Sequence, residues 1–281
     1  MGDGLVWESR PEVRDPILIA AFEGWNDAGD AASGAADWLT GTGRTTRFAW
    51  IDSEAHIDYQ AHRPTVHVID GVASSITWPA TECFIVGLPE RDLVVVRGVE
   101  PNVHWKSFCN AILTVAAETG CATVVTLGAL LGDVPHTRPA RVTGSSTDPH
   151  LVAELDLVPS RYEGPTGIVG ALHDACRKAG VPSASFWAPV SHYVATPPNP
   201  LCTQALLERV GAFAGLALDL HAFDALIAEW RAEVDEAIED NDEIRAYVLE
   251  LESRVDAEQH DVPRADDLVE EVERFLRDQD G

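Results

Sequence analysis

The sequence predicts an α/β fold: a mostly parallel sheet covered on both faces by helices, with a C-terminal helical hairpin or coiled-coil appendage. Three observations carry this. Short apolar runs alternate with helical segments through the first 220 residues, the pattern of a layered sheet-and-helix domain. The helical segments supply the dozen or more residues that a crossover between parallel strands requires. From Leu220 onward the apolar spacing changes to alternating threes and fours, the signature of a heptad helix. The chain is therefore read as an α/β domain over 1–219 and an acidic helical appendage over 220–281.

Residues 17–22 (Ile-Leu-Ile-Ala-Ala-Phe) follow Pro16 as a short apolar run, suited to a buried strand. A turn of polar and small residues occupies 23–29. Asp30 to Leu39 reads as an Ala-rich helix, ended by Gly41 and Gly43. Thr46 to Ile51 is a second strand. Val66–Ile69 and Glu82–Val86 are read as partners in a hairpin across a loop holding Pro and Ser. Leu93 to Val96 is another strand, and Trp105 to Glu118 a helix closed by Gly120. Ala122 to Leu127 is a strand, followed by Gly128. Val142 starts the next. Gly164–Gly167 opens a helix that runs to about Ala179, Ser183 to Val190 is the final strand, and Cys202 to Leu218 the final domain helix.

In the tail, Leu220, Phe223, Ile227, Trp230, Val234, Ala237, Asn241, Ile244, Val248, Leu251 and Val255 form an unbroken a/d series with Asn241 its polar exception. β-Branched a positions with one Asn fit a parallel two-stranded coil. Pro263 interrupts the helix, and Ala265 to Arg277 resumes it with an apolar face of Leu268, Val269, Val272, Phe275 and Leu276. At about 1.5 Å per residue the first helix would be roughly 55 Å long and the return about 20 Å. The seam can close within the chain as an antiparallel hairpin, or against another subunit.

The chain carries 46 acidic and 20 basic residues, a net charge of −26. Residues 221–281 hold 21 of the acids and 6 of the bases. Such a surface repels nucleic acid and anionic lipid. No run of about 18 apolar residues is present to span a membrane, and Met-Gly-Asp-Gly does not open a signal peptide, so a cytoplasmic protein is expected. The five cysteines are scattered without a CxxC pair, which reads as reduced core thiols and gives no basis for a structural zinc. No metal and no cofactor is expected.

Four loops at predicted strand ends hold residues with chemistry to offer, and in an open α/β sheet ligands gather there. Asn26 and Asp27 lie in Gly24–Gly29, where they can cap the following helix or face a ligand. Asp133, His136 and Arg138 fall within six residues. Asp133 can orient His136 as a general base, or pair with Arg138 to lock a Pro-rich loop. Glu163 precedes the Pro165 helix start, where its charge suits the helix dipole. His192 ends the last strand. No G-x-S-x-G elbow and no H-E-x-x-H is present.

These motifs also carry a resemblance. Phe22–Gly29, Gly98-Val99-Glu100-Pro101-Asn102 with Trp105 and Phe108, Leu127 through Arg138, Glu163–Gly167 and Ser191-His192-Tyr193 occur in order. On them the chain resembles the proteasome assembly chaperone 2 family, in its actinobacterial branch. The resemblance spans about residues 17–215. It implies a three-layer α/β sandwich, similar in outline to nucleoside phosphorylases, with a helical addition. Eukaryotic relatives dock early proteasome α-subunits, in some cases with a C-terminal segment. The ending Asp278-Gln279-Asp280-Gly281 departs from the hydrophobic, aromatic end such docking uses.

Two functions follow as expectations. The first is a non-catalytic, assembly-chaperone-like protein that forms homo-oligomers and contacts a protein partner, with a basic surface on any partner that meets the acidic arm. The second is a small-molecule-binding enzyme or sensor with a phosphorylase- or hydrolase-like cleft, built from Asn26, Asp27, Glu100, Asn102, Asp133, His136, Arg138, Glu163 and His192.

Overall fold

The computed structural model describes residues 4–69, 72–147, 163–194 and 196–260. One eight-stranded sheet organises them, in the order β1-β3-β6-β7-β2-β8-β10-β9. The strands are β1 Leu5–Trp7, β2 Ile17–Glu23, β3 Arg44–Ile51, β6 Thr81–Gly87, β7 Asp92–Val99, β8 Val124–Gly132, β9 Thr143–Ser146 and β10 Ser183–Ser191. The four central strands β7, β2, β8 and β10 pair in parallel. The flanking pairings are antiparallel. The parallel character that the sequence implies is thus concentrated where both faces are covered. There β2 reads as an uninterrupted apolar run, buried at every position but its last.

The helices are α1 Ala31–Gly41, α2 Trp105–Thr119, α3 Ile168–Ala179, α4 Pro200–Ala214, α5 Ala222–Ile238 and α6 Asp242–His260. Alternation along the strands divides the core in two. Ile17, Ile19 and Ala21 face α1, α4 and α5, together with Val95, Leu127 and Phe186. Leu18, Ala20 and Phe22 face α2 and α3, together with Val94 and Val96. The result is three layers, with odd and even residues of one strand supplying both cores.

Three sequence expectations change. First, Val66–Ile69 does not pair with Glu82–Val86. The partner of β4 (Thr65–Ile69) is β5 (Val72–Thr77), and the two form a separate two-stranded sheet. β6 lies between β3 and β7 instead, where its buried Cys83 and Val86 join opposite cores. Second, Gly128 does not end a strand. β8 runs on to Gly132, and Gly128 is a socket for Trp187 on β10: a Cβ there would lie 2.7 Å from the indole ring.

Third, the continuous heptad helix does not form. α5 ends at Ile238 and α6 begins at Asp242. Asn241 is not a buried a position: its Oδ1 accepts the Ile244 N–H at 3.1 Å, which caps α6. Phe223, Ile227, Trp230 and Val234 join the core cluster on the α1 and α4 side of the sheet rather than a coiled-coil mate. The resumed helix expected over 265–277 lies outside the described residues.

Candidate functional site

The sequence-predicted site residues fall into two clusters and two isolated positions. The first cluster forms where β2 ends. The turn after it bridges to β8, with the Ala129 N–H donating to Asn26 O at 2.7 Å. Asp27 Oδ1 accepts from the N–H groups of Ala32 at 2.7 Å and Ser33 at 3.2 Å, so Asp27 closes the first turn of α1. Asn26 is buried, and its Nδ2 donates to Glu100 Oε1 at 2.6 Å. The same oxygen accepts the Ile168 N–H, the first of α3, at 2.8 Å. Glu100 therefore joins the end of β7, the β2 turn and the start of α3. It satisfies one of the orphan donors that every helix N-terminus presents.

Burial pushes the Asp27 carboxyl above its ordinary value of 3.8, against hydrogen bonds from Ser33 and Ala32 that pull it down. Burial, with Asp37 and Asp30 nearby, likewise raises Glu23. A carboxyl raised on folding stabilises the fold fully below its unfolded value, and that contribution is lost as pH rises through the folded value. Asp27→Asn keeps the accepting oxygen and removes the buried charge. The stability of Asp27→Asn relative to the native chain is therefore expected to rise between pH 4 and pH 7. Urea midpoints at the two pH values measure this, and an unchanged difference would contradict it.

The second cluster joins the loop after β8 to the C-terminal helices. His136 is buried. Its own N–H donates to Tyr193 Oη at 2.9 Å, and that oxygen lies 2.8 Å from His136 Nδ1. Nε2 meets Asp235 Oδ1 of α5 at 3.0 Å. An ionised carboxylate only accepts, so Nε2 carries a proton there and Nδ1 is left to accept the Tyr193 hydroxyl hydrogen. Arg231 Nε donates to His136 O at 3.2 Å. Arg138 makes a bidentate pair with Asp256 at 2.8 and 2.7 Å and reaches Glu252 at 3.2 Å, both on α6. Thr137 also donates to Glu252.

Neither role read for Asp133 holds. It faces His192 at 3.4 Å in a half-exposed pair, not His136 or Arg138. The His192 ring stacks edge-on with Tyr247 of α6, centroids 5.4 Å apart. The reason lies in the fold: α5 and α6 fold over this loop and bring carboxylates nearer to His136 and Arg138 than Asp133 is.

The remaining positions lie elsewhere. Asn102 Oδ1 accepts the Asp58 N–H at 2.8 Å and sits 3.3 Å from His62 Nδ1, which holds the 58–62 loop. Glu163 is exposed ahead of α3. Tyr193, Asp235, Glu252 and Asp256 are the contacts of this cluster that local spacing misses.

Beyond the carboxyl ends of β8 and β10 lies a cavity of about 350 Å³. Asp133, Arg138, Pro189, Asn199, Trp230 and Arg254 line it. Among the described residues, no three His, Cys, Asp or Glu side chains are grouped to hold a metal ion. Burial pushes the thiols of Cys83, Cys109 and Cys202 up to about 12, which keeps them protonated and unreactive. No helix of the described residues is long and apolar enough to cross a membrane.

Known proteins with this architecture share more than its outline. The sequence profile of the PAC2 family matches residues 21–238. A PAC2 family protein from Streptomyces avermitilis is 48% identical, with 83% of this chain and 100% of that one covered and a TM-score of 0.77. A proteasome-assembly chaperone homologue from Mycobacterium tuberculosis is 43% identical, with 83% and 99% covered and a TM-score of 0.77. A protein of unknown function from Corynebacterium glutamicum is 26% identical, with 91% and 98% covered and a TM-score of 0.83. No curated protein matches the chain.

Proposed function

The chain belongs to the PAC2 family, and from that premise we propose that it is a non-catalytic, assembly-chaperone-like protein that oligomerises and holds a protein partner through its C-terminal helices. One observation carries the reading. The polar residues best placed for chemistry are committed to architecture: Glu100 and Asn26 to the start of α3, and His136 and Arg138 to α5 and α6. A general base needs a free lone pair within reach of substrate. His136 uses Nδ1 on Tyr193 and Nε2 on Asp235.

The helices that these residues anchor carry thirteen acidic and three basic residues over 222–260. Between them runs an open groove of about 600 Å³, with Ile238, Val248 and Leu249 along it and Asp235, Glu236 and Glu239 on its rim. A partner segment with an apolar anchor and a basic flank complements that surface. The mycobacterial relative is described as a proteasome-assembly chaperone homologue, so proteasome subunits are the first partners to test.

The expected result is capture of purified proteasome α-subunits by the full chain. Capture weakens as salt rises and is lost in a chain ended at residue 240. Equal capture by both chains would remove the helical groove from the proposal. No capture by either would remove the partner class.

A second reading has one observation in its favour. The 350 Å³ cavity sits beyond strand carboxyl ends, where small-molecule sites of α/β sheets form. A sensor or enzyme working there would show saturable ligand binding that an Arg138→Met variant loses.

A further inference from the structure

The cavity of about 350 Å³ beyond the ends of β8 and β10 has an apolar body and a charged mouth. Val134 and Pro135 of the loop after β8, Pro189 of β10, Leu201 of α4, Trp230 of α5 and Val255 of α6 form the body. Asn199 and Cys202 also reach it, but both are committed within the fold. Asn199 Oδ1 accepts the Cys202 N–H at 3.0 Å, and Cys202 Sγ donates to Pro189 O at 3.1 Å. Arg138 is spent on Asp256 and Glu252.

The other charges at the mouth, Arg141, Arg254, Asp133 and Glu258, are held loosely. Arg141 reaches Glu258 at 3.8 Å, beyond hydrogen-bond distance. Arg254 donates through Nη2 to Glu250 at 3.2 Å, which leaves the rest of its fork of donors for another acceptor. Asp133 lies 3.4 Å from His192, with Tyr247 also beside it. All four side chains are about half exposed or more. Two positive and two negative groups thus rim one apolar space.

That balance selects the guest. A simple anion gains Arg141 and Arg254 but meets Asp133, Glu258 and the field of a chain with net charge −26. A simple cation meets the two guanidinium groups. An uncharged apolar molecule engages none of the four. A molecule with an apolar body and one charge of each sign engages both pairs and fills the space between them. Arg254 and Glu258 stand one turn apart on α6, where Cβ atoms are about 5–6 Å from each other. Two residues of extended chain span about 7 Å. The cavity is at the lower end of the roughly 300–1,000 Å³ typical of small-molecule sites, which limits the guest to one or two residues.

We propose that this cavity binds a small apolar zwitterion, an apolar amino acid or dipeptide, with its carboxylate on Arg254 and Arg141 and its ammonium on Glu258 and Asp133. The inference rests on the second reading given above, a small-molecule site in this cavity, and adds the class of its ligand. Because Arg254, Val255 and Glu258 belong to α6 and Arg141 and Asp133 to the sheet domain, the guest also fastens α6 to the domain.

Isothermal titration calorimetry of the full chain with L-leucine and L-leucyl-L-leucine tests it. Two controls keep the same branched side chain: 4-methylpentanoate lacks the ammonium, and 3-methylbutylamine lacks the carboxylate. Saturable binding of at least one zwitterion is expected, with both controls at least 10-fold weaker. Arg254→Gln and Glu258→Gln are each expected to weaken it at least 10-fold with an unchanged circular dichroism spectrum. Amide hydrogen exchange over residues 250–258 should slow when the zwitterion is added, which reads the same contact on the native chain should a variant fail to fold.

A control that binds as tightly as the zwitterions would overturn the ligand class and leave the cavity standing as a small-molecule site. Zwitterion binding that neither Arg138→Met nor Arg254→Gln weakens, or that leaves exchange over 250–258 unchanged, would lie outside the cavity and overturn both. Binding of neither zwitterion at millimolar concentration would overturn the proposal.

Discussion

A chain that stops at residue 221 is expected not to fold, whereas one that stops at residue 240 keeps the sheet domain. The difference is α5. Phe223, Ile227, Trp230 and Val234 are each less than a tenth exposed and belong to the apolar cluster on the α1 and α4 side of the sheet. Phe223 also packs against Trp38 of α1, ring centroids 6.3 Å apart. Burying a large apolar side chain contributes about 1.5–3 kcal/mol. Four of them therefore represent roughly 6–12 kcal/mol, comparable to the whole stability of an ordinary domain at about 5–15 kcal/mol. Removing α6 alone costs about half as much. Its anchors are part-exposed pairs of Arg138 with Glu252 and Asp256, each worth about 0–1 kcal/mol, and the buried Val248 and Leu251. Soluble yield and thermal melts of the two truncations measure the contrast. A 1–221 chain that melts like the native one would show that α5 is an addition to the core rather than part of it.

The same helix shows where sequence reading stops. The a/d series named Phe223, Ile227, Trp230 and Val234 as an apolar seam, and all four are buried. Periodicity reports that a face is apolar; it carries no label for the partner. A coiled-coil mate, a return helix and a domain's own helix layer all demand the same stripe, and here α5 packs on the layer of α1 and α4. Asn241 was ambiguous in the same way, since a polar residue inside a heptad run is either a register device or a helix start. The hydrogen bond to Ile244 N decides it.

The central strands were legible because full burial makes them continuous apolar runs. β1, three residues long, and β5, whose Ser74-Ser75 dilutes its alternation, gave too little signal. The site was legible as a set of loops but not as contacts. Asn26, Asp27 and Glu100 do gather, yet the partners of His136 and Arg138 lie 99 and 118 residues away. No local spacing encodes such a pairing.

The glycine at the start of α3 should be the most sensitive position of the first cluster. Gly167 has φ −90°, which any residue adopts, so the need for glycine is one of space. A Cβ there would stand 2.2 Å from Asn26 Oδ1 and 2.4 Å from Nδ2. Asn26 cannot retreat cheaply: it is 1% exposed and its amide is held by Glu100 at 2.6 Å. Moving it frees a buried amide and loosens the carboxylate that also receives the Ile168 N–H. Gly167→Ala is therefore expected to cost about 2–4 kcal/mol, the sum of overpacking and a broken buried hydrogen bond.

Asn26→Ala makes room for that methyl group at the cost of its own bond to Glu100. The double variant is then expected to be clearly more stable than the two separate losses added together, which a double-mutant cycle in urea measures. Strict additivity would mean that the contact is relieved elsewhere and that Asn26 does not enforce the glycine. A positive coupling has a consequence for function as well. Asn26, Glu100 and Gly167 would then act as a keystone between β2, β7 and α3. A double variant that folds and still captures its partner would place this motif in the architecture of the molecule rather than in its chemistry.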